Sequence, residues 1–240
     1  DEARLAAKLH HPGIVRVEDF GDDDGVLYMA LEYVDGDDLS KLMRHGRNRT
    51  EPLPLNLILQ VGVDIAEALA YAHDLCDDEG QPLNIVHRDV SPQNILVQRG
   101  TGRAKLLDFG IARSEANLHK TRAGMLKGKV AYFSPEQARG EPLDGRSDQY
   151  ALGVLLYEAL AGERAITGGS VVTQLSKAAN ADFKALTDVA PNVPEGVHAV
   201  IERALALEVE GRFSTCAQMA KALDACLAQH GGRMAPGDYA

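Results

Sequence analysis

Nowhere in its 240 residues does the sequence gather the ~18 consecutive apolar residues that a membrane span needs. The best apolar run, Tyr150 to Ala161, is about a dozen residues long and carries Glu158, so no membrane segment is expected. Basic residues are in deficit, 25 Lys+Arg against 35 Asp+Glu, for a formal net charge of −10. A nonspecific grip on nucleic acid or an anionic bilayer needs the opposite field, and neither is expected as a partner. Cysteine is rarer still. Cys76, Cys216 and Cys226 stand too far apart for CxxC metal spacing, and any pair would leave an odd thiol, so they read as buried thiols in a reducing cytoplasm. There are no repeats or low-complexity blocks, and no GxGxxG occurs. Gly124 to Lys129 fails as a Walker loop, because only three residues separate its glycines and Val130 follows the lysine. The chain also lacks an initiating Met, a signal peptide and a helix cap: it opens at Asp1 inside a helical pattern and reads as a piece of something longer.

What is present is a core-forming supply of apolar residues, 45% of the chain. Glu2 to Leu9 has helical spacing and ends before His11-Pro12-Gly13. Ile14 to Phe20 alternates, Gly21 to Gly25 reads as a turn, Val26 to Val34 as a second strand, and Asp35 to Asp38 as an acidic linker. Helical windows follow, the clearest at Leu55 to His73 behind Pro54, then Asp144–Leu160, Ser170–Ala179, Pro194–Leu207 and Ser214–Leu227. Thr215 and Gln218 make a capping-box pattern for the last. Short apolar pieces at Ile85–Val86, Ile95–Val97 and Lys105–Phe109 are too brief for helices. The tail from His230, rich in glycine, reads as loose linker.

Chemistry concentrates in one ordered set. His87-Arg88-Asp89 is followed by Asn94, then by Asp108-Phe109-Gly110, then by Ser134-Pro135-Glu136. Ten specified residues recur by chance with a probability on the order of 10⁻¹³ before spacing is freed. Any one of these Asx residues alone would read as a turn cap; the ordered set does not.

These residues, with Gly110-Ile111-Ala112-Arg113, Gln137-Ala138-Arg139-Gly140 and Arg146-Ser147-Asp148, resemble the bacterial eukaryotic-like serine/threonine protein kinases from Glu2 to about Leu227. The resemblance implies an α+β, two-lobe fold: a partial N-terminal lobe over 1–35, a helical C-terminal lobe over 36–228, and a flexible tail over 229–240. It implies ATP and Mg²⁺ as cofactors and protein Ser/Thr hydroxyls as acceptors. Phosphoryl transfer needs cations against phosphate oxygens and a carboxylate for the hydroxyl proton. By family position, Asp89 takes that proton, while Asn94 and Asp108 hold Mg²⁺ through hard oxygen ligands. Arg88 receives an activation-segment phosphate, for which Thr121 is the candidate site. The adenine hinge falls on Glu32 and Val34, with Leu31 as gatekeeper, Leu96 as pocket floor, Asp38 at the ribose and Glu2 as the helix glutamate that pairs with the ATP-binding lysine. Glu136 and Arg212 form a buried ion pair, and Asp148 holds the backbone of the catalytic loop.

The sequence departs from the pattern in two ways. The glycine-rich loop and the strand lysine are not in this stretch, so the 240 residues alone are expected to bind ATP poorly and turn over negligibly. Ser91 stands where such kinases usually carry a lysine, and Lys129 where they carry a threonine, which suggests an exchange: Lys129 supplying the ammonium and Ser91 the hydroxyl. A pseudokinase or interaction module is the alternative function, although the intact Asp89, Asn94 and Asp108 speak against it. An aminoglycoside-kinase-type phosphotransferase would lack the Ser-Pro-Glu segment. Tyrosine specificity fits less well, since the loop lacks that group's alanine-arginine pattern.

Overall fold

The computed structural model describes residues 8–49, 52–107, 129–235 and 237. Most of the expected helix at Glu2–Leu9, together with Asp108 and Thr121, lies outside the described residues. Strands β1 (Val17–Asp23) and β2 (Val26–Leu31) pair antiparallel. Their reversal is tighter than composition suggests: β1 continues through Gly21 to Asp23, and Asp24 and Gly25, at φ 50° and 83°, make the turn alone. Positive φ at both positions matches the twist of the flanking strands.

A second antiparallel sheet runs in the order β3 (Gly36–Asp38), β4 (Ile95–Gln98), β5 (Ala104–Leu106). The acidic stretch expected to be a linker is therefore mostly strand. Charge does not prevent pairing, because the ladder is backbone, and Gly36 permits close approach: a Cβ there would lie 2.1 Å from the Val97 carbonyl oxygen. Residues 85 and 86, one of the short apolar pieces too brief for a helix, form no strand either. Val15 donates its N–H to the Leu106 carbonyl and Leu106 donates to Gly13, which fastens the chain leading into β1 onto β5.

Helices α1 (Leu39–Arg49), α2 (Leu55–His73), α3 (Pro135–Arg139), α4 (Gly145–Ala161), α5 (Val171–Ala179), α6 (Leu186–Val189), α7 (Glu195–Ala204) and α8 (Cys216–Gln229) make up the larger part. Side chains of Asp144, Ser170 and Thr215 accept the N–H of Arg146, Thr173 and Gln218, capping α4, α5 and α8. Such caps each contribute about 1 kcal/mol.

Contrary to the expectation from Tyr150–Ala161, the described helix long and apolar enough to cross a membrane is α2. Its apolar window is 72% buried, which is the position of a core helix. It packs against α4 and α8, and Gly62 allows the approach, with Leu156 and Leu223 about where a Cβ would reach. Leu57, Leu59, Ile65 and Leu69 from α2, with Leu152, Leu155 and Leu156 from α4, are fully buried there.

The tail also departs from expectation. Arg233 Nη1 lies 2.7 Å from Asp64 Oδ1, the Met234 N–H donates to Gln60 Oε1 at 2.9 Å, and the Gly237 N–H donates to the Gly100 carbonyl at 2.7 Å. These described tail residues are strapped to α2 and the β4–β5 turn instead of hanging loose. The cause is Asp64, a buried carboxylate that also takes the Ala104 N–H; a buried charge requires partners.

Candidate active site

The loop between α2 and β4 is built on one buried carboxylate. Asp148, in the first turn of α4, accepts the His87 N–H on Oδ2 and the Arg88 N–H on Oδ1, each at 2.8 Å. His73 Nε2, from the end of α2, lies 2.8 Å from the same Oδ2. The start of a helix favours negative charge, so the carboxylate sits where the α4 dipole supports it. Arg88 has φ 64°, a strained value for a side-chain-bearing residue. It is held from both sides, by Asp148 at its N–H and by Gln137 Nε2 at its carbonyl, 3.0 Å away. The imidazole of His87 is fully buried. Its Nε2 lies 3.0 Å from the Leu107 carbonyl while Nδ1 accepts the Asp89 N–H at 3.2 Å, a pattern that fits the neutral ring with Nε2 protonated.

These restraints present Asp89. Asn94 Nδ2 donates to the Asp89 carbonyl at 2.8 Å and to Asp89 Oδ2 at 3.0 Å. Lys129 Nζ donates to the same Oδ2 at 2.6 Å. Asp89, Asn94 and Lys129, three residues singled out from sequence, thus meet in space. With its NH₂ group turned onto Asp89, the Asn94 amide keeps its oxygen, a hard donor of the type magnesium prefers. The Asn94 carbonyl also accepts the Leu107 N–H at 2.7 Å, so the end of β5 is fastened to the loop. The guanidinium of Arg88 has no hydrogen-bond or ion-pair partner among the described residues.

Ser91 behaves differently from the exchange idea. Its Oγ is buried and has no hydrogen-bond partner among the described residues, so it supplies no hydroxyl to Asp89. The reason is local: Ser91 precedes the turn Pro92–Asn94 and its side chain points into the protein.

At the hinge, the Glu32 N–H is spent on the Arg16 carbonyl at 2.9 Å, and the Glu32 carboxylate pairs with Lys105 of β5. Leu31 and Val34 are half-buried around it. Leu96 is half-buried on the opposite face of β4 from the buried Ile95 and Val97, in register with Asp38 on one side and Lys105 on the other. Asp38 is used in a way the sequence did not suggest. Its carboxylate accepts from Ser40 Oγ and from the Lys41 N–H, heading α1; burial would raise its pKa, but these bonds hold it below the usual range.

Below the loop, Arg212 and Glu136 form a bidentate pair with both contacts at 2.8 Å. Ser147 Oγ adds a bond to Glu136 at 2.7 Å, and Arg212 also reaches the carbonyls of Arg146 and Ala206 at 3.0 Å. Burial alone would raise the Glu136 carboxyl, but the bonds from Arg212 and Ser147 outweigh it and bring its pKa down to about 2.

Comparison with known proteins decides the family. The protein kinase domain model matches residues 1–223. The chain belongs to the protein kinase family. This kinase domain is 41% identical over 230 residues to the tyrosine-protein kinase MasK of Myxococcus xanthus, covering 96% of this chain and 35% of that protein. It is 35% identical to the serine/threonine-protein kinase PrkC of Bacillus subtilis, covering 91% of this chain and 32% of that one. The chain thus spans about a third of the length of these curated relatives. Among solved structures, the Mycobacterium tuberculosis PknI kinase domain superposes with a TM-score of 0.67 at 31% identity, covering 94% of this chain and 76% of that one. The α+β architecture is that of the two-lobe kinases. His73 is the site residue that sequence reasoning passed over, since it looks like any residue closing a helix; His87 stood in the ordered set, but its role of bridging Leu107 and Asp89 was not read from it.

Proposed function

We propose that this kinase domain, in its native protein, transfers the γ-phosphoryl group of ATP to Ser/Thr hydroxyls of protein substrates. One observation carries the reading: the Asp89 carboxylate, on a loop bolted to Asp148, shares its Oδ2 with the amide of Asn94 and the ammonium of Lys129. The acceptor hydroxyl loses its proton to Asp89 as its oxygen attacks phosphorus. Asn94, with Asp108 by family position, would hold magnesium, which neutralises charge on the phosphates. The half-burial of Leu31, Val34 and Leu96, and the Glu32 carbonyl left after its N–H is spent, support a purine edge at the hinge, with Glu2 and the ATP-binding lysine as expected from the family. Arg88, which has no described partner, supports a phosphate-receiving role, with Thr121 the proposed donor.

The test is turnover of the protein carrying its native flanking sequence, with Mg-ATP and a mixed protein acceptor, followed by phosphoamino-acid analysis. Asp89→Asn should lower turnover about 10²- to 10⁴-fold, the range for losing a general base. Retained activity in that variant would sink the reading. Because a relative at 41% identity is named a tyrosine-protein kinase, phosphotyrosine as the dominant product is the second outcome, and it would reassign the acceptor without changing the chemistry.

A further inference from the structure

Resting on the phosphoryl-transfer reading, a second question is which cation of this chain meets the group in flight. The charge that develops on a transferred phosphoryl is spread over its equatorial oxygens and is stabilised by preorganised positive groups. Lys129 begins the turn Val130–Tyr132 with helical angles, φ −77° and ψ −34°, and the three residues after it are buried. Its stem therefore leaves fixed backbone. Its ammonium lies 2.6 Å from Asp89 Oδ2, with the Lys129 side chain 31% exposed and that of Asp89 9%. An ammonium has three donors. One is given to Asp89; the other two have no acceptor among the described residues. Ser91, two residues after Asp89, contributes only a buried hydroxyl with no partner among the described residues, so that loop position offers no charge.

We propose that Lys129 is the phosphate-facing cation of this site. At rest it pairs with Asp89; in turnover its remaining donors engage the oxygens of the transferred phosphoryl. The acceptor oxygen bonds to phosphorus, the bond from phosphorus to the ADP oxygen breaks, and the hydroxyl proton passes to Asp89. Lys129 is then a catalytic residue on an element outside the catalytic loop.

The experiment uses the protein with its native flanks, and compares wild type with Lys129→Met, Lys129→Gln, Lys129→Arg and the double variant Lys129→Met/Ser91→Lys. Turnover is measured alongside calorimetric binding of Mg-ADP with and without aluminium fluoride, a planar anion that mimics the phosphoryl in flight. Lys129→Met should lose about 100-fold in kcat, as expected for one preorganised charge stabiliser. The KM for ATP should move less than about threefold, because the interaction is absent from the ground state. Mg-ADP binding should be unchanged, but aluminium fluoride should no longer tighten it. Lys129→Arg should keep part of the tightening, and adding Ser91→Lys should recover at least about tenfold in kcat. Lys129→Gln guards against a folding defect, with a melting curve for each variant. Turnover of Lys129→Met and Lys129→Gln within about threefold of wild type would overturn the proposal. So would lost turnover with aluminium fluoride tightening intact, since Lys129 would then only position Asp89. A wild-type protein that neither transfers phosphate nor responds to aluminium fluoride fails the phosphoryl-transfer reading itself.

Discussion

Two cation–carboxylate pairs, one beneath the loop and one at its surface, show how burial divides labour in this molecule. In Arg212–Glu136 the side chains are 0% and 6% exposed, and both partners are saturated by further bonds to Ser147, Arg146 and Ala206. In Lys129–Asp89 they are 31% and 9% exposed, and among the described residues the ammonium keeps unused donors. A saturated pair can only hold structure in place; an ammonium with donors to spare among the described residues has capacity left for a substrate. The same charges thus do opposite jobs, and the difference lies in what else each partner touches.

The largest effect should come from breaking the buried pair. Arg212→Met leaves Glu136 charged and unpaired and is expected to cost about 3–5 kcal/mol, read as a lower urea midpoint at pH 7. Lys129→Met, at the exposed edge, should cost less than about 1 kcal/mol and so lower the same midpoint much less. Equal losses in the two variants would erase the distinction drawn above.

Acid titration sharpens the comparison at slightly lower cost. Glu136 is depressed from 4.5 to about 2, so its contribution is complete above pH 4.5 and is lost as pH falls towards 2. The shift corresponds to about 3 kcal/mol. Glu158 runs the other way: burial raises its carboxyl despite the bonds from Tyr132 and the Ala165 N–H, so it favours the folded state at low pH and opposes it as pH rises through its raised value. Urea midpoints taken between pH 5 and 2.5 should fall steeply for the wild type and less steeply for Glu136→Gln; parallel curves would count against Glu136 as the acid-labile group.

The smallest effect is expected at the strap. Arg233→Ala leaves Asp64 with Arg103 and the Ala104 N–H, so about 1 kcal/mol or less should be lost. Faster hydrogen exchange at the Met234 and Gly237 amides would report the released tail, and unchanged exchange would mean that Arg233 does not hold it.

Much of the site was legible because its chemistry fixes residue type and spacing together. Asp89 and Asn94 are five residues apart on one loop, and Glu136 and Arg212 followed from the family pattern. The contacts that escaped the sequence are those made by ordinary residues across long separations. His73 reaches Asp148 over 75 positions and Arg233 reaches Asp64 over 169, with no local signal in either case. The strand at Gly36–Asp38 was hidden because backbone pairing and a glycine, rather than apolar alternation, create it. Ser91 shows the converse: a family position names a role, but local burial decides where the side chain goes.

Helix α4 ties these observations together. Along its 17 residues it carries the Arg146 carbonyl and Ser147 to the Arg212–Glu136 pair, Asp148 to the loop, Gln149 to Phe213, and Glu158 to Tyr132. Each residue turns the helix by about 100°, so deleting a single residue in its middle would rotate one group of these attachments away from the other. The helix therefore works as a spindle whose register is common to every part it touches: side chains along it can be exchanged one at a time, but its length cannot change without unsettling the whole assembly.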